Sequence, residues 1–138
     1  MTSYLDQFAE VKQAILTSDQ LSNPDIFVGP GVCCNILGFE LQDVFNAGFL
    51  TQNAASVPWI AVQHYPTNNC QLNGTDRNAQ DIFVNFLNHT SSVDLTLPYL
   101  AGTQTALAAG KEMIMFEFNT ASCGGFAGLS DSFGASLW

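Results

Sequence analysis

With 138 residues, 47% of them apolar, the chain has the composition of a globular domain or of a piece of a larger one, which argues against disorder. Only 11% of its residues are charged, and the formal net charge is −9, with Lys12, Arg77 and Lys111 as the whole basic complement. Phosphate binding needs clustered Lys and Arg, and a spanning helix needs about 18 or more consecutive apolar residues, so nucleic acid, an anionic membrane surface and a transmembrane helix are all argued against.

Tyr4, Leu5, Phe8, Val11, Ile15 and Leu16 recur at three- and four-residue spacings and predict an amphipathic helix over Tyr4 to Leu16, broken by Asn23-Pro24-Asp25. Ile26 to Val32 reads as a short buried strand. Glu40 to Leu50 predicts a second helix with Leu41, Val44, Phe45 and Phe49 on one face. Pro58 introduces a second strand that ends at Tyr65-Pro66, and a polar loop follows from Thr67 to Thr75. Asp76 is the expected N-cap of a helix from Arg77 to Asn88 that buries Ile82, Phe83 and Phe86. An Ala-rich helix over Pro98 to Ala109 closes at Gly110, and the third strand is Met113 to Phe118. Ser130 is the expected N-cap of a last helix, and Trp138 has no clear place.

The strands lack polar alternation and are separated by helices, which is the pattern of a parallel sheet with helical crossovers. Three βα units are too few for a closed (β/α)8 barrel, which needs about 250 residues. The final "SLW" falls in what reads as the opening turn of a helix, so the expectation is an incomplete fold. The start has no basic-then-apolar stretch, so no signal peptide is expected within the chain. Cys33, Cys34, Cys70 and Cys123 lack paired CxxC spacing, which argues against zinc. The neighbours Cys33 and Cys34 are not expected to bond to each other, and pairing of Cys70 with Cys123 is left open. Asn73-Gly74-Thr75 and Asn88-His89-Thr90 are sequons.

In parallel α/β folds ligands sit at the carboxyl ends of the strands. Those ends carry Cys33-Cys34-Asn35, Gln63-His64-Tyr65 and Glu117-Phe118-Asn119. Glu117 closes a run that otherwise reads as buried. A buried carboxylate needs a partner, and with so few cations a tyrosine hydroxyl is the natural one. Glu117 is then either a nucleophile or base aimed by Tyr65, or an ordinary strand-end acid facing solvent. His64 is either a general acid/base or metal ligand, or a hydrogen-bonded structural residue; His89 reads as surface. Gly124-Gly125 form either an anion-binding nest or a flexible turn. Trp59 and Phe116 read as core.

The run "MFEFNTASCGGFAGLSDSFGASLW", with "VQHYP", "GPGVCC" and "YLDQFAEVKQAI", resembles the fungal members of glycoside hydrolase family 79, the β-glucuronidases related to heparanase. The resemblance covers nearly the whole chain. It implies a secreted enzyme with a (β/α)8 barrel, of which this chain would hold strands five to seven, without strand eight or the β-domain. Two glutamates act there with retention. Glu117 matches the nucleophile and Tyr65 the tyrosine that hydrogen-bonds it. Ser122, Cys123 and Gly124 match the segment whose backbone N–H groups help hold the substrate carboxylate. Gln63 falls where relatives carry a sugar-contacting side chain, and His64 beside it is a further candidate for substrate binding. The acid/base glutamate of the family stands in an Asn-Glu pair, and this sequence has no such pair. The expected partners are a glucuronide or glycan and the remainder of the barrel, with no cofactor or metal, and the isolated chain is expected to be inactive. Alternative readings are a non-catalytic carbohydrate-binding remnant and a small α/β interaction protein.

Overall fold

The computed structural model describes residues 2–18, 21, 23, 26–34, 38–70 and 78–137. It is a mixed α/β chain in two compact units, one of residues 1–63 with 99–116 and one of residues 64–98 with 117–138. In chain order it contains α1 (Thr2–Leu16), β1 (Val28–Cys33), α2 (Leu41–Asn46), α3 (Phe49–Gln52), β2 (Trp59–His64), β3 (Thr67–Asn68), α4 (Ala79–Phe86), α5 (His89–Thr96), α6 (Leu100–Ala108), β4 (Glu112–Phe118) and β5 (Ala121–Ser122). Short 3₁₀ turns occur at Leu97–Tyr99 and Gly134–Leu137.

The first unit is built on a three-stranded sheet in the order β1-β2-β4. β1 and β2 run parallel, with Val28 opposite Trp59 and Cys33 opposite Gln63. Their register slips between Pro30 and Val32. Pro30 has no N–H to give a ladder and Gly31 takes φ 72, so this point bulges rather than pairs. Val32, Val44, Phe49, Ile60 and Val62 are fully enclosed in the core beneath. Tyr4 and Phe8 of α1 pack their rings against Phe49, and the Tyr4 hydroxyl donates to the Pro30 carbonyl at 2.7 Å.

Several expectations need correction. On α1, Val11 and Ile15 are exposed, so the buried stripe is only the first half of the predicted one. The helix expected over Glu40 to Leu50 is broken in two. Gly48 takes φ 104, a left-handed conformation that glycine adopts without steric cost and that ends α2. Glu40 itself caps α2 in a reciprocal box with Asp43. Trp59 and Phe116 are 39% and 65% exposed rather than core. The Trp59 indole N–H donates to the Glu112 carboxylate at 2.8 Å, which gives its polar edge a partner at the surface. Asn35, Pro24, Asp25, the sequon at Asn73, the cap Asp76, Arg77 and Trp138 lie outside the described residues.

The second unit is held by a smaller core of Phe86, Ala121, Phe126, Leu129 and Ala135. β3 and β5 pair in parallel there, Thr67 with Ala121 and Asn68 with Ser122, inside what reads by sequence as a polar loop end. α4 is capped by Asn78, whose side chain accepts the Gln80 N–H; this cap comes two residues after the expected one. α5 has no counterpart among the helices that the sequence pattern predicts. Its polar sequence, His89 to Thr96, buries only Leu95, too little apolar surface to show a period. The final segment forms tight turns and a 3₁₀ turn instead of an α-helix, and Ser130 does not cap it.

Candidate functional site

Glu117 and Tyr65 both belong to the second unit. Glu117 is the penultimate residue of β4, and Tyr65 follows directly after β2. The Tyr65 hydroxyl donates to Glu117 Oε1. That hydrogen bond, with some desolvation and the adjoining negative charge, raises the Tyr65 pKa above the ordinary tyrosine value. The phenol therefore remains a donor through neutral pH. Glu117 is exposed, not buried as its apolar strand suggested. The strand alternates poorly because its last three residues, Phe116 to Phe118, are all exposed.

The two side chains open onto a cleft of about 570 Å³ whose far wall is the segment from Asn119 to Gly125, with Ser130. This wall is tightly turned. Cys123, Gly124 and Gly125 have φ 64, 84 and 87, three successive residues in the left-handed region. Glycine tolerates this; Cys123 is held there by its disulfide to Cys70. The Ser122 carbonyl accepts the Asn69 N–H at 3.0 Å, so the loop is tied to the β3 side by both a ladder bond and a covalent link. Among the described residues, no acceptor lies on the N–H groups of Gly124 and Gly125, which leaves two backbone donors beside the cleft. Among the described residues no Lys or Arg lines it, so these would hold an anion through neutral donors.

Ser130 is a residue of this site that sequence reasoning placed elsewhere. Its Oγ accepts the Phe126 N–H at 2.9 Å and the Thr120 hydroxyl at 2.8 Å. It thereby fastens both ends of the Asn119–Gly125 wall to one atom. Asn119 Oδ1 accepts the Thr120 N–H at 2.7 Å, which fixes the turn as the chain leaves β4. A serine five residues beyond a double glycine carries no sequence signature of its own; the turn that returns it to the cleft is not visible in any periodicity.

The other candidates fall elsewhere. His64 lines a second cavity of about 490 Å³ with Thr67, Ile82, Asn85, Phe86 and Asp94. Burial lowers its pKa below the ordinary histidine value, so it is neutral at physiological pH. Gln63 belongs to the first unit, where its carbonyl accepts the Tyr99 hydroxyl at 3.1 Å and the Cys34 N–H at 3.3 Å. Tyr99 in turn accepts the Cys34 N–H at 3.1 Å. Cys33 and Cys34 are bonded to each other, contrary to expectation. Cys34 leaves the strand with φ 66, where the alternation that would separate adjacent side chains no longer applies. Among the described residues there is no free cysteine and no group of three or more metal-ligating side chains, and no helix is long and apolar enough to cross a membrane. No family model, curated protein or solved structure matches the chain.

Proposed function

We propose that the chain is part of a retaining β-glucuronidase-like glycoside hydrolase, a partial (β/α)8 barrel in which Glu117 is the nucleophile and Tyr65 orients it. The observation that carries this reading is the Tyr65–Glu117 hydrogen bond at the mouth of a cleft walled by Ser122 to Gly125. The parts suit a uronic acid. In this reading Glu117 attacks the anomeric carbon. The Gly124 and Gly125 N–H groups and the hydroxyls of Ser122 and Ser130 offer neutral donors to a sugar carboxylate, and no cation lines the cleft among the described residues. Tyr65 holds one carboxylate oxygen, which leaves the other free for attack.

Retention requires a second carboxyl about 5–5.5 Å from the first, to protonate the leaving oxygen and later to activate water. Among the described residues Glu117 is the only acid lining the cleft, and the sequence has no Asn-Glu pair. This chain alone is therefore expected to carry out the first half-reaction only, and only on a sugar whose leaving group needs no proton. A 2-deoxy-2-fluoroglucuronide with a fluoride or dinitrophenolate leaving group meets that condition. Incubation with it should add one glycosyl group to Glu117, seen by intact mass and peptide mapping. Glu117→Gln should abolish the adduct, and Tyr65→Phe should slow its formation by about tenfold, the scale of losing one charge-assisted hydrogen bond to the nucleophile. A chain that is folded by circular dichroism and acquires no adduct, or an adduct elsewhere, overturns the assignment.

A second reading has its own support in Glu117 being the single carboxylate among the cleft's described residues: a cleft that binds a uronide without reacting. Calorimetry with glucuronate separates the two. Binding without labelling favours the second.

A further inference from the structure

Asn88 is the first residue of the sequon Asn88-His89-Thr90, and all three residues are exposed. It stands between α4 and α5 and serves as the N-cap of α5 with φ −106 and ψ 110. Its Oδ1 accepts the Thr90 N–H at 3.0 Å. The amide group is thus divided in function. The oxygen is engaged by the backbone, and no acceptor is recorded on Nδ2 among the described residues. This contact spans three residues, so it forms locally and does not require the rest of the fold.

We propose that Asn88 is a site of N-linked glycosylation. All four cysteines are paired in disulfides, Cys33 with Cys34 and Cys70 with Cys123, which is the cysteine usage of a chain matured in an oxidising, secretory compartment. Sequon modification takes place there. The co-reactant is an oligosaccharide on a polyprenyl pyrophosphate. Nδ2 of Asn88 forms the new bond to the anomeric carbon as the bond from that carbon to the pyrophosphate oxygen breaks. The pyrophosphate leaves with the electron pair, and one amide proton passes to a base of the transferase. Nothing is oxidised or reduced. The modification leaves Oδ1 in place, so the glycosylated residue still caps α5. The residues near it in sequence include the exposed apolar side chains Val84, Leu87 and Val93, each more than 45% accessible.

The test is translation of the full chain behind a secretory leader in microsomes, with an added C-terminal reporter sequon that marks translocated molecules. Asn73→Gln removes the other native acceptor. The expected result is that reporter-positive chains carry a second glycan, mapped to the peptide containing Asn88 and released by an amidase that converts that asparagine to aspartate. Asn88→Asp should lose the glycan and keep the α5 cap, since a carboxylate accepts the same N–H. Thr90→Ala should lose it and Thr90→Ser should keep it. Reporter-positive chains with an unmodified Asn88 peptide overturn the proposal, and so does a glycan that persists in Thr90→Ala. None of these outcomes depends on the activity proposed for Glu117.

Discussion

Replacing both Cys70 and Cys123 by alanine should destabilise the second unit and loosen the wall of its cleft. The two cysteines are 53 residues apart in sequence, and a cross-link of that span removes loop-closure entropy worth about 4 kcal/mol from the unfolded chain. The unit has little to set against such a loss. Its buried core is one phenylalanine pair, Phe86 and Phe126, with Leu129 and two alanines. Small cores of this kind seldom supply more than about 3–5 kcal/mol, and staples commonly make up the rest. The disulfide also lies just beyond the two-residue pairing of β3 with β5, so the ladder bond from Asn69 to Ser122 should fray with it. Hydrogen exchange of the amides in α4 and in β5 reads the effect directly. Protection there should fall by an amount approaching 4 kcal/mol, with a much smaller change in α1 and β2. The Cys33→Ala, Cys34→Ala pair is the control, because a sequence separation of 1 closes no loop and carries no entropy of this kind. A loss below about 1 kcal/mol in the second unit, or the same loss from the control pair, would refute the reasoning.

Ser130→Ala removes the acceptor for the Phe126 N–H and the Thr120 hydroxyl, and should cost about 1–2 kcal/mol, read as faster exchange of the Phe126 amide. The same substitution should slow labelling of Glu117 without abolishing it, since it loosens the wall and leaves the nucleophile in place. Acidification should weaken the fold through His64. Its pKa is lowered from 6.5 by burial, so below that pH the unfolded chain binds the proton more readily and unfolding becomes easier as pH falls. His64→Gln should flatten the dependence of the denaturation midpoint on pH just below 6.5. Gly102→Ala would place a methyl carbon 2.5 Å from Leu41 Cδ2 and 3.3 Å from Leu41 Cβ. The overpacking cost of about 1–3 kcal/mol should outweigh a helix-propensity gain of about 1 kcal/mol, and urea titration should show a net loss.

The sequence was most informative where periodicity and burial agree. Leu41, Val44, Phe45 and Phe49 are buried as their spacing predicts, although their helix is broken at Gly48, and the strand after Pro58 and the helix before Gly110 are present. The sequence's apolar runs do not all mean burial. Phe116 and Phe118 are apolar and exposed, so Glu117 between them is an accessible acid rather than a buried one. Adjacency misled in the same manner at Cys33-Cys34, because the positive φ of Cys34 depends on acceptors 29 and 65 residues away that no local pattern reports. The pairing of Tyr65 with Glu117 was legible, because a strand-end acid with few available cations leaves a hydroxyl as its natural partner. The part played by Ser130 was not, because it arises from the path of a turn.

The two lysines of the first unit are held close together. Lys12 donates to Asn53 Oδ1 at 2.6 Å and to Ser56 Oγ at 3.3 Å, and Lys111 donates to the carbonyl of Ala54. A protease that reads basic side chains finds only three of them in 138 residues, and two are clasped to the same turn. To a trypsin-like enzyme the folded first unit presents almost no free handle, a form of durability that owes nothing to the thickness of its core.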